Sequence, residues 1–356
     1  MSAGEAARRV AAGATVALAG FLAREACLAD MPAPAPSEPP AASAKVERRE
    51  SLFTDEDDLN SPPTAPPEVI AEGGSARDIS IWGDYVLWSS GEGIHRVSAW
   101  GGGPSRLVVA DRSVSDLAND GEHIYWIGSG SASPPWYDIL RVPIGGGRAQ
   151  EIARGGCNPL GLLVDEAHVY FAGLCDGIQR VPKRGGPSKT LLAFDPNVST
   201  RYIAQDEANI YWTDEAGVSS VPKAGGAPRL ILKAQWANAI AVDRTHIYWS
   251  EGSCGSDCVP HAAVVRRLAK TGGVVSTLAE RQVYVSAIAL DATHVYWRTE
   301  LGSIRRALKE GGPVETLARN QGSGDSLEAG TRHVYWSFRL LASGAPPHGG
   351  VARVPR

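Results

Sequence analysis

An excess of charge of either sign is missing from this chain. Its 356 residues carry 35 Lys and Arg against 39 Asp and Glu, a net charge of −4. Binding along a phosphate backbone needs a clearly basic face, so nucleic acid is excluded as a partner. Long apolar runs are almost missing too. The longest, Val10–Leu22 (VAAGATVALAGFL) after Arg8-Arg9, is too short to cross a bilayer as a helix. It has the form of a signal-peptide core, with a cut expected after Ala29. Residues 1–29 are therefore read as a signal peptide or N-terminal anchor, and no other segment could span a membrane. Arg24-Glu25 before Cys27 make a poor site for lipidation. No GxSxG elbow, Walker loop or dinucleotide fingerprint occurs, which removes the commonest hydrolase and nucleotide-binding signatures.

Phenylalanine is scarce, 5 beside 10 Trp and 10 Tyr, and a repeat explains this balance. One aromatic strand recurs: Tyr85-Val86-Leu87-Trp88, His123-Ile124-Tyr125-Trp126, His168-Val169-Tyr170-Phe171, Asn209-Ile210-Tyr211-Trp212, His246-Ile247-Tyr248-Trp249, His294-Val295-Tyr296-Trp297 and His333-Val334-Tyr335-Trp336. Its last aromatic advances by 38, 45, 41, 37, 48 and 39 residues, the period of a four-stranded propeller blade. Each unit holds four short β-rich pieces bounded by turn residues. A Gly pair (Gly185-Gly186, Gly225-Gly226, Gly272-Gly273, Gly311-Gly312) separates the third piece from the fourth. An Asp (Asp120, Asp165, Asp206, Asp243, Asp291) stands three residues before the His or Asn, where its side chain can close the first hairpin turn. The aromatic strand is apolar on both faces and must be covered twice. Sheets standing side by side in a ring meet that demand.

Unit seven ends at Arg353-Val354-Pro355-Arg356 with its fourth strand missing, while Glu68-Val69-Ile70-Ala71-Glu72 before unit one looks like a fourth strand. The expected fold is all-β: a seven-bladed β-propeller of four-stranded blades over residues 68–356, its last blade closed by the N-terminal strand Glu68–Glu72. Residues 30–67 hold nine of the 24 prolines and too little apolar area to offset ordering, so a disordered Pro/Ala-rich linker is expected there.

Tyr211-Trp212-Thr213-Asp214 spells YWTD, and Tyr248-Trp249-Ser250-Glu251 and Tyr296-Trp297-Arg298-Thr299 are looser copies. Over residues 68–356 the chain resembles YWTD-type and TolB-like extracytoplasmic propellers, including secreted bacterial repeat proteins. The receptor members of that family have six blades and EGF-like modules. This sequence reads as seven blades without such modules, so receptor function does not carry over.

Of five cysteines, Cys27 lies in the export segment. The remaining four are an even number, consistent with pairing after export. Cys157 and Cys175 fall in neighbouring loops on one face of a propeller, and Cys254 and Cys258 share one loop, so Cys157–Cys175 and Cys254–Cys258 disulfides are expected. No His/Cys set near Cys254 completes a tetrahedral zinc site, and neither metal nor cofactor is expected. Five of the eight His residues occupy one repeat position near the first hairpin turn, which makes them structural.

A function would sit on the face bearing the longest loops. Trp136, Tyr137, Asn158, Arg201, Tyr202, Trp236, Asn238, Tyr284 and Asp325 fall there or beside the inner strands, and exposed Trp, Tyr and Arg are the usual anchors of recognition surfaces. The sequence thus points to a non-catalytic binding or scaffold propeller of the periplasm, cell envelope or exterior, expected to be a monomer, that takes a protein or glycan on its loop face. The alternative is a propeller hydrolase or lyase such as a metal-dependent lactonase, for which Asp116, Asn158, Asn238 and Asp325 are the channel-side candidates.

Overall fold

The computed structural model describes residues 63, 65–74, 76–111, 113–129, 136–193, 195, 202–252, 263–340 and 348–356. The expected export segment, most of the linker, Arg201, Cys254 and Cys258 lie outside the described residues. The described chain forms seven four-stranded antiparallel sheets arranged as a β-propeller. Blades 1 to 6 run in chain order, from Ile79–Trp82 through Arg106–Ala110 for the first to Val285–Leu290 through Glu315–Ala318 for the sixth. Blade 7 takes Leu327–Ala329, His333–Leu340 and His348–Pro355 from the C-terminal end. Its outer strand is Glu68–Glu72, with Glu68 opposite Arg353, Val69 opposite Ala352 and Ala71 opposite Val351. The expected closure is present.

The core sits between the blades. Each of seven apolar clusters joins one blade to the next. Tyr296 and Ile304 of blade 6, for example, pack with Leu327, Val334 and Trp336 of blade 7. Alternation along the aromatic strand sends successive side chains to opposite faces. Trp297 therefore packs against blade 5 and the adjacent Tyr296 against blade 7. That division of labour explains why a Tyr-Trp pair recurs.

The repeated Asp does more than close a turn. In blade 2, Asp120 Oδ1 accepts the backbone N–H groups of Glu122 and His123 at 2.9 and 2.7 Å. Its Oδ2 accepts the Tyr125 hydroxyl at 2.9 Å and lies 2.5 Å from Lys183 Nζ of blade 3. The same tie to the following blade joins Asp165 to Lys223 at 3.0 Å, Asp206 to Lys270 at 2.5 Å, Asp243 to Lys309 at 2.7 Å and Asp291 to Arg356 at 3.0 Å. Burial alone would raise these carboxyls. The ammonium, hydroxyl and amide donors outweigh it and hold Asp120, Asp165 and Asp206 at about 2. A second tie runs from an Arg on the third strand to a turn carbonyl of the next blade: Arg141 Nη1 to Lys183 O at 2.7 Å and Arg180 Nη1 to Lys223 O at 2.6 Å. The repeated His rings lean on the Tyr two residues on, with centroids 5.9–6.1 Å apart.

Candidate functional site

The face carrying the long loops, here the upper face, contains most of the residues expected to bind. They do not gather into one site. Trp136 is 40% exposed at the entrance to the third strand of blade 2, but the neighbouring Tyr137 is only 3% exposed. The Tyr137 hydroxyl donates to Asp176 Oδ2 at 2.9 Å, and the same oxygen accepts the Gly156 N–H at 2.6 Å. Its ring lies where a Cβ on Gly155 would stand, 2.0 Å away, so only glycine is compatible there. Tyr137 thus props up the loop closed by the Cys157–Cys175 disulfide, which is present with Cα atoms 5.4 Å apart. It offers no exposed ring to a ligand. Asn158 is exposed beside that bridge at φ 43°. Tyr202 opens the inner strand of blade 4 and packs partly buried against the cluster between blades 4 and 5. Asp325 is exposed and 3.7 Å from Arg339.

Three expected residues do meet. Trp236, at the entrance to blade 5, is 43% exposed and has φ 56°, a left-handed backbone that a bulky side chain rarely adopts. Below it Asn238, 2% exposed, donates Nδ2 to Trp236 O at 2.9 Å and to Gly252 O at 2.7 Å. Asn238 Oδ1 accepts the Tyr284 hydroxyl of blade 6 at 3.3 Å. The Gly252 N–H closes the arrangement on Trp236 O at 3.3 Å. Such strain persists only where the surroundings over-determine it, and it concentrates at ligand-binding positions.

The central channel brings the expected candidate Asp116 together with two groups that sequence reading passed over, Asp78 and Glu328. Asp78 and Asp116 occupy one repeat position, just before the inner strand of blade 1 and at the start of that of blade 2, and their carboxyls hydrogen-bond to each other. Asp78 Oδ2 accepts the Leu117 N–H at 2.7 Å, and Asp116 Oδ2 the Leu162 N–H at 3.0 Å. Burial, then the charge of Asp78, holds Asp116 protonated well above the ordinary carboxylate range. Glu328 of blade 7 accepts the Ile81 N–H at 2.8 Å. Burial pushes its carboxyl up to about 8, with the charge of Asp78 adding to the effect. Each acid bonds a backbone amide of the next blade, a seam-tying role. Aligning the units would have exposed the Asp78/Asp116 pair, since both stand four residues before the first-turn position occupied by Trp82 and Asp120. Among the described residues no three His, Cys, Asp or Glu side chains gather as metal ligands would.

This channel predicts a pH dependence. Folded, Glu328 keeps its proton to about pH 8, whereas unfolded it ionises near 4.5. Unfolding therefore releases a proton between those values. The contribution of Glu328 to stability is full at and below pH 4.5, falls as pH rises toward 8, and levels off above. Glu328→Gln keeps the oxygen that accepts the Ile81 N–H and removes the ionisation. It should melt like the parent at pH 4.5 and be more stable by on the order of 3 kcal/mol at pH 8.5, allowing for the part-open edge of the group. Denaturant midpoints at the two pH values check this. An unchanged midpoint at pH 8.5 would refute a neutral Glu328.

No protein-family model and no curated protein matches this chain. Solved structures do. YCF48 bound to D1 peptide is similar at TM-score 0.60 and 11% identity, over 83% of this chain and 96% of that one. The WD40 β-propeller domain of Doa1 is similar at TM-score 0.59 and 12% identity, over 81% and 96%. PorZ, a bacterial surface component of the type-IX secretion system of Porphyromonas gingivalis, is similar at TM-score 0.55 and 12% identity, over 80% of this chain and 39% of that one. At these identities the likeness establishes the fold alone.

Proposed function

We propose that this chain is a non-catalytic binding propeller of the extracytoplasmic space, a monomeric relative of the YWTD-type and TolB-like repeat proteins, that captures a protein or glycan partner on its upper face. The observation that carries this reading is Trp236: a large ring left 43% exposed and held in an unfavourable backbone conformation by a buried Asn and a Tyr from the next blade. An exposed aromatic fixed in place beforehand loses little entropy on binding, which makes it a strong anchor. The disulfide supports an oxidising compartment. A similar fold engages a peptide in YCF48 bound to D1 peptide, which supports a protein as partner. The lactonase alternative needs channel carboxylates free to converge on a metal, and Asp78, Asp116 and Glu328 already serve backbone amides of neighbouring blades.

The test is Trp236→Gly. Glycine is at ease at φ 56°, so relief of strain should offset lost packing and leave stability within about 1 kcal/mol of the parent. Capture of partners from an envelope extract on the immobilised chain should fall about tenfold or more, the effect of removing an interface anchor. Undiminished capture by a normally folded Trp236→Gly, Trp136→Ala double variant would show that the upper face is not the binding face.

A further inference from the structure

Blade 1 departs from the repeat at its lower end, the end of the Asp–Lys ties. The position of the tying Asp is Trp82, that of the repeated His is Tyr85, and the Lys of the next blade is Ile144. The blade 1–2 seam therefore has no ion pair there; Trp82 packs with Ile144 instead. The second tie is missing as well. Arg96 is the counterpart of Arg141 and Arg180, yet among the described residues it reaches no carbonyl of blade 2. It lies over the rings of Tyr85 and Trp82, 4.6 and 5.8 Å from their centroids, and these two rings stack at 5.4 Å. Directly across the strand pair from Arg96 stands Arg106, an uncompensated like charge that destabilises the free sheet. Blade 6 has Arg306 opposite Glu315 at the same place, joined at 2.6 Å. On the other flank of blade 1, Trp100 is 46% exposed, and Arg332 lies over its ring at 5.1 Å. Among the described residues none of Arg96, Arg106 and Arg332 has a carboxylate partner.

We propose that the lower end of blade 1 is a second interaction surface, and that its partner is an acidic peptide segment of another protein. A guanidinium laid on an aromatic ring keeps its in-plane N–H groups free and oriented, the arrangement that receives a carboxylate through two parallel hydrogen bonds. Tyr85 and Trp100 beside the guanidiniums cover apolar side chains that flank the acid. A carboxylate placed between Arg96 and Arg106 also relieves their repulsion. The exposed acid Asp84 lies on the same turn, its carbonyl bonded to the Ala99 N–H at 2.8 Å. It would repel a uniformly anionic membrane or polysaccharide, whereas a peptide sets its few carboxylates where the arginines are. This surface is independent of the upper face.

The experiment is fluorescence anisotropy of a labelled peptide of repeated Glu-Leu-Gly units titrated with the full chain, beside its Lys-Leu-Gly counterpart, a heparin fragment and anionic vesicles. The acidic peptide should bind at least about tenfold more tightly than the basic one, and weaken as ionic strength rises from about 0.05 to about 0.3 M. Arg96→Gln with Arg332→Gln should reduce that binding about tenfold or more. Arg96→Lys should lose a comparable part, because an ammonium keeps the charge without the planar fork. The upper-face variant Trp236→Gly should bind the acidic peptide as the parent does, which separates failure here from failure of the upper-face reading. Equal binding of the two peptides, or undiminished binding by the double Arg variant, overturns the proposal. Tighter binding of heparin or vesicles than of the acidic peptide overturns it in favour of a polyanion. Because Arg96 and Arg332 hold no inter-blade hydrogen bond through their side chains among the described residues, both variants are expected to fold.

Discussion

A chain beginning after Gly74 should melt more than about 10 °C below one beginning at residue 63, or fail to fold, while the longer of the two melts like the full chain. The strand Glu68–Glu72 supplies the fourth strand of blade 7. Without it the backbone from Gly350 to Arg353 loses its partners on the outer edge, and the bond from the Gly73 N–H to Gly349 O, 3.0 Å long, is lost. Ile70 and Ala71, both buried in the cluster between blades 7 and 1, are lost with it. So is the carboxylate of Glu68, which holds Arg353 through Nε and Nη2 at 3.0 and 2.7 Å. Arg353 also donates to Ala99 O and Trp100 O of blade 1. The strand therefore anchors the residue that ties the last blade to the first. Lost apolar burial and several unpaired backbone groups together amount to roughly 5 kcal/mol or more. In a domain of this size that is about 10–20 °C in melting temperature. Circular dichroism melts of the two truncations decide the matter, and coincident curves would show that the ring closes without this strand.

Trp297→Ala should cost about 3–5 kcal/mol. Trp297 is fully buried and fills the space between blades 5 and 6, against Ala239, Val265 and Val285 among others. Its Nε1 donates to Gln282 Oε1 at 3.0 Å. That oxygen also accepts buried Arg305 Nη1 at 2.7 Å, so truncation opens a cavity beside a buried cation. Trp297→Phe isolates the hydrogen bond and should cost more than Trp336→Phe, since Trp336 Nε1 has no partner within the described residues. Urea titrations of the three variants provide the check. A loss below about 1 kcal/mol for Trp297→Ala would mean that the inter-blade clusters are not the core.

Features set by neighbours in the chain could be read before any coordinates. The Asp-x-x-His turn is one: Asp243 Oδ1 accepts the N–H groups of Thr245 and His246, both at 2.8 Å, partners two and three residues away. The closing strand was legible because Val69-Ile70-Ala71 carries the pattern of the other outer strands. The Cys157–Cys175 bridge followed from knowing which loops share a face. The candidate site was legible only in part. Trp136 and Trp236 are exposed as expected, yet Tyr137, one residue from Trp136, is buried. Alternation sends neighbouring side chains to opposite faces, and sequence alone does not say which face the loop covers.

Composition, period and turn chemistry by themselves determined seven sheets, their four-strand plan and the origin of the last outer strand, because each of these depends on interactions within one unit or on the count of units. Only the tertiary structure decided that the repeated Asp meets a Lys of the next blade, with Asp165 and Lys223 standing 58 residues apart. It alone brought Asp78 against Asp116, set Asn238 beneath Trp236, and left Arg96 on a ring where Arg141 and Arg180 reach a carbonyl. Those contacts are made across seams between blades. What faces a seam depends on how the ring brings two distant stretches together, and no pattern within either stretch carries that information.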